Sequence, residues 1–240
     1  MFVTLLTGPA LHAQDTLRVA KPEHKLLRAV AAPVLLSAAG LLMIDADHDN
    51  DLPINRYWVH TKRQENFSNF HTAADNYMMY TPIAAVIGLN LAGVKGKHDI
   101  ANQTALLLKS ELLMLAMVYP LKHGTSVLRP DGSDHQSFPS GHTAQAFAAA
   151  TFLHKEYGGK SVWYSIGGYT VATAVGTCRM LNNRHWLSDV LVGAGIGIFS
   201  TNVVYLTHQN RWGKKSSVNK AVLMPTYNQG AGFYFCYRFR

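Results

Sequence analysis

Three short groups of residues contain the side chains of this chain that are best suited to act on a phosphoryl group. They are Lys122-(six residues)-Arg129-Pro130, Pro139-Ser140-Gly141-His142, and Arg179-(five residues)-His185-(three residues)-Asp189. Together they supply three permanent cations, a Ser-Gly turn that can open a helix, and two histidines. Such a set could bind a tetrahedral anion and pass a phosphoryl group through a histidine nucleophile.

The third group pairs a histidine with a carboxylate. His185 and Asp189 are four residues apart, so on a helix they share one face. A carboxylate bonded to one ring nitrogen fixes the tautomer and leaves the other nitrogen as an oriented base or nucleophile. Taken alone, the same pair is also typical of a His-Asp cap at the start of a helix, and Arg179 shifts that balance only modestly.

The second group predicts a helix N-terminus. Ser140 is a natural N-cap before an alanine-rich segment, and the free backbone N–H groups there form an anion pocket. His142, in the first turn, could donate a proton to a leaving oxygen. An ordinary helix start with an incidental histidine would have the same residues.

The first group contributes charge. The planar guanidinium of Arg129 can bind two phosphate oxygens, while Lys122 acts as a point charge. In isolation, a lysine extending from a helix end and a solvated arginine would be the preferred explanation of this group.

The combination of order and spacing resembles the three-part signature of the type 2 phosphatidic acid phosphatase superfamily. That signature reads Lys-x6-Arg-Pro, Pro-Ser-Gly-His and Ser-Arg-x5-His-x3-Asp, and the chain departs from it only at Cys178, where the family usually has serine. The motif covers 122–189, and the helical layout extends the resemblance over roughly 26–207. The departure does not concern a residue expected to carry the chemistry.

The resemblance implies a role for each matching position. His185 would attack phosphorus and form a phosphohistidine, Asp189 would orient it, and His142 would protonate the leaving group and then activate water. The phosphoryl oxygens would be held by Lys122, Arg129, Ser140, Gly141 and Arg179. Three cations could neutralise the charge that Mg²⁺ neutralises elsewhere, so we expect no metal ion and no cofactor.

Apolar periodicity predicts the fold that positions these groups. Six apolar stretches of mostly helical length predict an all-α protein, a six-helix bundle embedded in a membrane: 26–44, 77–94, 104–121, 143–153, 162–177 and 187–207. In the last stretch, Gly193 and Gly197 have the spacing that permits close helix packing.

The domain organisation follows from these stretches. We expect a leader or signal peptide over 1–25, a helical phosphatase domain over 26–207, and a C-terminal tail over 208–240 with a β-hairpin-like pattern. If the helices alternate in direction, basic residues collect at one end of the bundle and the three groups at the other. This charge asymmetry favours an orientation with the groups outside the cytoplasm, although a cleaved signal peptide would conflict with it.

Composition limits the partners. The formal net charge is +8, but basic and aromatic residues do not cluster as a nucleic-acid surface requires. The resemblance implies a phosphorylated lipid or isoprenoid substrate (a phosphate or diphosphate) and a multi-pass protein of the bacterial inner membrane with its site facing the periplasm. A soluble periplasmic acid phosphatase of broad specificity is the alternative. The oligomeric state stays open.

Overall fold

Helices make up most of the structure. The computed structural model describes residues 23–44, 55–209, 221–227 and 231–237. Within these ranges it has eight helices and two strands: α1 (Glu23–Leu42), α2 (Arg56–Phe67), α3 (Asp75–Met78), α4 (Thr81–Leu91), α5 (Ile100–Thr125), α6 (Gly141–Tyr157), α7 (Val162–Leu181), α8 (Leu187–Thr207), β1 (Ala221–Tyr227) and β2 (Ala231–Tyr237).

The prediction of six helices is therefore wrong in number. Each of the six apolar stretches is represented by a helix, but α2 and α3 are additional. Helix α2 lies between the first two stretches, and α3 lies across the start of the second. No residue of α2 is buried, and its composition is polar, so a search for apolar stretches does not detect it. A single turn such as α3 is too short to show helical periodicity.

The last helix, α8, is the centre of the bundle. It packs against α1, α5 and α6. Two of its glycines face α6: a Cβ on Gly193 would lie 2.5 Å from the carbonyl oxygen of Ser140, and one on Gly197 would collide with the carbonyl oxygen of Ala144. Glycine at these positions lets the two backbones approach closely, as their spacing predicts.

Alternating helix direction separates the two ends of the bundle. At one end, the Lys97 N–H donates to the carbonyl of Glu156 over 3.1 Å, which joins the start of α5 to the end of α6. At the other end, the Ser140 N–H donates to the carbonyl of Asp189 over 3.0 Å, which joins the start of α6 to the start of α8. The three groups of chemically competent residues are thus at the end opposite to Lys97.

Two described helices, α5 and α8, are long and apolar enough to cross a membrane. They differ in burial, since 61% of the most apolar stretch of α8 is buried but only 22% of that of α5. Large apolar side chains of α5 therefore face outward, among them Leu108, Leu112, Leu115 and Tyr119.

Parts of the predicted domain layout lie outside the described residues. These parts are 1–22 of the leader, 45–54 of the helical domain, and 210–220, 228–230 and 238–240 of the tail. Farther along the tail, β1 pairs with β2 in an antiparallel register with Ala221 opposite Tyr237 and Tyr227 opposite Ala231.

Candidate functional site

The three sequence groups meet where four helix ends converge. The first group begins in the last turn of α5 and continues into the loop after it, the second opens α6, and the third joins the end of α7 to the start of α8. Electrostatic interactions connect the groups: Lys122 with Arg129, Arg179 and Asp189, and His142 with Arg179, His185 and Lys122. Folding has therefore brought together side chains separated by as many as 67 positions, which the local sequence alone could not do.

A tight turn delivers His185 to this cluster. After α7 ends at Leu181, Asn183 adopts a left-handed conformation with φ of 61°, which asparagine tolerates better than most residues. The next turn is anchored by Trp186, whose Nε1 donates to the carbonyl oxygen of Leu128 over 2.9 Å. His185 is consequently held in place and only 3% exposed.

Asp189 is positioned to orient His185. Its Oδ2 lies 3.5 Å from Nδ1 of His185, and the same oxygen accepts hydrogen bonds from the Ser137 hydroxyl and the Trp186 N–H. Since Nδ1 faces the carboxylate, Nε2 is the ring nitrogen left for other chemistry. Burial lowers the pKa of His185, with Asp189 acting in the opposite direction, so the ring is held in its neutral form near pH 7.

His142 is half-buried in the first turn of α6. Its Nε2 lies 2.9 Å from Oδ1 of Asn76. Burial, followed by the nearby guanidinium of Arg179, lowers the pKa of His142 to about 4. In the absence of a bound anion this ring is therefore neutral at pH 7.

The start of α6 has the geometry expected of an anion pocket. Ser140 is the N-cap, its Oγ accepting from the Thr143 N–H, so its hydroxyl is already engaged in capping. The first N–H groups of a helix have no intrahelical partner and carry the positive end of its dipole. A Cβ on Gly141 would meet only Val118, at 3.9 Å, which leaves space beside this backbone.

Two of the three cations, Lys122 and Arg129, are bound by residues of the loop that joins α5 to α6. Nε of Arg129 lies 2.8 Å from Oδ1 of Asp134, while Lys122 donates to the carbonyl oxygen of Gln136 over 2.7 Å. These contacts fix where the positive charges lie before any ligand arrives, which reduces the reorganisation that anion binding requires.

Arg179 is held by a carboxylate that no sequence motif marks. Its Nη1 donates to Oδ2 of Asp75 over 2.8 Å, and both residues are buried. Asn182 anchors the same segment, because it accepts from the Thr72 N–H at 2.9 Å and donates to the Thr72 carbonyl at 2.8 Å. Arg179 thus enters the cluster at an angle set by α3 and the residues just before it.

A cavity of about 440 Å³ lies in front of these residues. It is lined on one side by residues of the three groups and their neighbours, and on the other by residues 71–76. Of the candidate residues, Arg129, His142 and Arg179 line it. His185 instead lines a separate, much narrower cavity beside α2, and neither cavity is lined by Lys122, Ser140, Gly141 or Asp189. Arg184 also lines the larger cavity and pairs with Asp131 at 3.1 Å.

The structure adds residues that the sequence analysis did not identify. Asp75, Asn76, Ser137 and Asp134 each contact one of the candidate residues directly. They belong to no recognisable spacing pattern, and only tertiary contact identifies them. Within the described ranges, no three His, Cys, Asp or Glu side chains are grouped as metal ligands.

Sequence comparison finds known proteins that are similar to this chain. Residues 103–213 match the family model of the PAP2 superfamily. The chain is 41% identical over 174 residues to the Lipid A 1-phosphatase of Porphyromonas gingivalis, an alignment that covers 71% of this chain and 36% of that protein. It is 33% identical over 95 residues to the probable lipid phosphate phosphatase 4 of Arabidopsis thaliana, covering 35% of this chain and 30% of the relative. The chain thus matches about a third of the length of these relatives.

Two solved structures are also similar. One is the crystal structure of Aquifex aeolicus LpxE, with a TM-score of 0.47 and 22% identity, covering 61% of this chain and 93% of that one. The other is the first transmembrane PAP2 type phosphatidylglycerolphosphate phosphatase from Bacillus subtilis, with a TM-score of 0.44 and 21% identity, covering 72% and 94% respectively.

Proposed function

The chain belongs to the PAP2 superfamily, and on that premise we propose that it is a phosphatase that hydrolyses a phosphorylated lipid or isoprenoid, either a phosphate or a diphosphate. The relative at 41% identity is named as a lipid A phosphatase, so the phosphate of a lipid A-type glycolipid is the first substrate to test. The observation that carries the proposal is the convergence of two neutral histidines and three fixed cations on one end of the bundle.

In the first step, the phosphoryl group enters the cavity, where Arg129 and Arg179 bind its oxygens. Lys122, which does not line the cavity but interacts electrostatically with both arginines, binds these oxygens from behind. The N–H groups at the start of α6 add further donors. Nε2 of His185 attacks phosphorus in line with the bond to the leaving oxygen. His142 takes up a proton when the negatively charged phosphoryl group binds beside it, because that charge raises the pKa of the ring. As the bond to the leaving oxygen breaks, His142 transfers this proton to the departing alkoxide, and a phosphohistidine remains.

In the second step, His142 is neutral and accepts a proton from a water molecule. The resulting hydroxide attacks phosphorus, the P–N bond breaks, and its electron pair returns to Nε2 of His185. Inorganic phosphate is released and both rings are again in their starting states. Asp189 supports both steps because its negative charge favours the more positive ring that His185 becomes when phosphorylated.

The outward face of α5 supports a membrane location. A core helix of a soluble protein buries its apolar residues, whereas α5 exposes most of its apolar stretch. Contiguous exposed leucines are stable in contact with lipid and costly in water. We place the site at the membrane surface on the periplasmic side of the bacterial inner membrane, where the lipid chains remain in the bilayer while the phosphate enters the cavity.

The decisive activity experiment is a phosphate-release screen with the purified protein in detergent and EDTA. The panel contains lipid A, phosphatidate, undecaprenyl diphosphate and a water-soluble phosphomonoester. We expect release from at least one lipid, loss of at least about 10³-fold of the rate in His185→Ala, and no loss in the control His154→Gln at the other end of α6. The proposal fails if no substrate is hydrolysed, or if His185→Ala is fully active.

Membrane location has its own test. In a variant lacking both native cysteines (C178S/C236S), a cysteine is introduced at Leu112 or at Ser133. In sealed vesicles we expect Ser133→Cys to react with a water-soluble maleimide and Leu112→Cys to be protected. Equal labelling of both, with release of the protein by a carbonate wash, would favour the soluble periplasmic alternative.

A further inference from the structure

Asn76 contacts the second histidine of the site directly. Its Oδ1 lies 2.9 Å from Nε2 of His142, and both residues line the 440 Å³ cavity. An amide oxygen only accepts hydrogen bonds, so the imidazole nitrogen that faces it must carry a hydrogen. The contact therefore selects the tautomer of His142 that is protonated at Nε2.

Asn76 is itself firmly held. It is the second residue of α3, after Asp75, whose carboxylate binds Arg179, and its N–H donates to the Ala73 carbonyl over 3.2 Å. The preceding Thr72 is bound to Asn182 through both its N–H and its carbonyl. A side chain on so anchored a segment can orient a neighbouring ring with little loss of entropy.

The charges around His142 come from every neighbouring element. The titratable and charged groups that face it are Asp75 (α3), Lys122 (α5), Arg179 (α7), His185 (before α8) and, across the shared cavity, Arg129, Arg184 and His71. Most are cationic, so they oppose a positive charge on the ring. A neutral acceptor at Nε2 acts in the opposite direction, because it binds the N–H of a charged imidazolium more strongly.

We propose that Asn76 is a positioning residue that holds His142 through Nε2 and thereby assigns proton transfer to Nδ1. This inference rests on the proposed function. When the negatively charged substrate is bound, the ring takes up a second proton at Nδ1. When the bond from phosphorus to the leaving oxygen breaks, this proton goes to that oxygen while Nε2–H stays bonded to Asn76. In the second step the attacking water gives its proton back to Nδ1.

The experiment compares Asn76→Ala and Asn76→Asp with the native chain, using isotope-labelled histidine and NMR of the full-length protein in detergent. The His142 signal is assigned with His142→Gln among the 12 histidines. Nitrogen shifts report which ring nitrogen is protonated, and titration gives the ring pKa. We expect the native ring to be protonated at Nε2, Asn76→Asp to raise its pKa by about 1–3 units, and Asn76→Ala to lower it.

Turnover supplies a second readout on whichever substrate is hydrolysed. Asn76→Ala should lower kcat with little change in KM, and Asn76→Asp should move the pH–rate profile to higher pH. Unchanged tautomer, ring pKa and pH profile in both variants would overturn the inference. If the native protein hydrolyses nothing, the proposed function fails, but the NMR titration still decides whether Asn76 controls His142.

Discussion

Asp75 and Arg179 are 104 positions apart in the sequence, yet Oδ2 of one lies 2.8 Å from Nη1 of the other in a buried pair. The side chains are 1% and 10% exposed, so the pair is largely shielded from water. The pair joins α3 to the end of α7 and places a guanidinium at the cavity. Asp75 therefore determines the position of Arg179, a proposed phosphate-binding cation, and neutralises part of its positive charge.

Removal of the Asp75 charge should destabilise the fold. Asp75→Asn leaves the buried Arg179 uncompensated, which we expect to cost about 3 kcal/mol of the free energy of unfolding. A bound anion can replace the missing charge, so inorganic phosphate should raise the Tm of this variant more than that of the native chain. Thermal unfolding in detergent with and without phosphate measures both effects.

Asp131→Asn is the matched control. It removes the partner of Arg184 in a pair whose side chains are 23% and 40% exposed, so the loss should be at most about 1 kcal/mol. Equal destabilisation by the two substitutions, or equal phosphate effects, would show that burial of the Asp75 pair is not what matters.

Anion binding should be coupled to proton uptake. The pKa of His142 is lowered to about 4 in the folded protein from 6.5, so the unfolded chain binds more protons between these values. The neutral His142 ring therefore contributes fully to the free energy of unfolding above pH 6.5, and this contribution is lost as pH falls toward 4. A dianion in the cavity favours the charged ring and raises its pKa.

Sulfate is a suitable probe because it does not titrate in this range. Its affinity, measured calorimetrically, should increase as pH falls from 6.5 toward 4, by at most about tenfold per pH unit for each proton taken up. His142→Gln should flatten this dependence, and His154→Gln should not. Sulfate affinity that is independent of pH in the native chain would contradict the prediction.

The close contact between α6 and α8 should tolerate no added methyl group. In Gly197→Ala, the new Cβ would collide with the Ala144 carbonyl oxygen and lie 2.8 Å from the Ala148 nitrogen. We expect a loss of about 1–3 kcal/mol in stability and a lower rate, because the two helices carry Ser140 and Asp189. Gly167→Ala on α7 meets nothing within 4 Å and should be neutral or slightly stabilising. A Tm for Gly197→Ala equal to that of the native chain would be incompatible with this packing.

At Gly141, unlike at Gly197, an added methyl group should leave the fold stable but reduce activity. Nothing but Val118, at 3.9 Å, lies near the position of a Cβ, so Gly141→Ala should fold with at least native stability. If the phosphoryl group occupies this space, the methyl group should weaken its hydrogen bond to the α6 N-terminus and reduce kcat/KM about tenfold. Unfolding and steady-state kinetics on the same preparation separate the two effects. Full activity in this variant would place the phosphoryl group elsewhere.

The sequence alone allowed much of the site to be predicted because its key spacings are local. The Ser140 N-cap follows from the geometry of one helix start. His185 lies two residues before α8, so its Nδ1 approaches Asp189 through the turn before that helix and not through a shared helix face. Long apolar stretches identified six helical segments for the same reason. The polar α2 and the single turn α3 were missed, since neither has an apolar face long enough to show periodicity.

By itself, the sequence determined the local chemistry of this protein: which side chains can bind an anion, which helix they begin or end, and which family they resemble. Tertiary structure alone decided what stabilises and orients them. Asp75 on Arg179, Asn76 on His142 and Asp134 on Arg129 are selected by distance and burial in the folded chain. Such contacts depend on how helices cross, and no pattern of residue types along the chain specifies them.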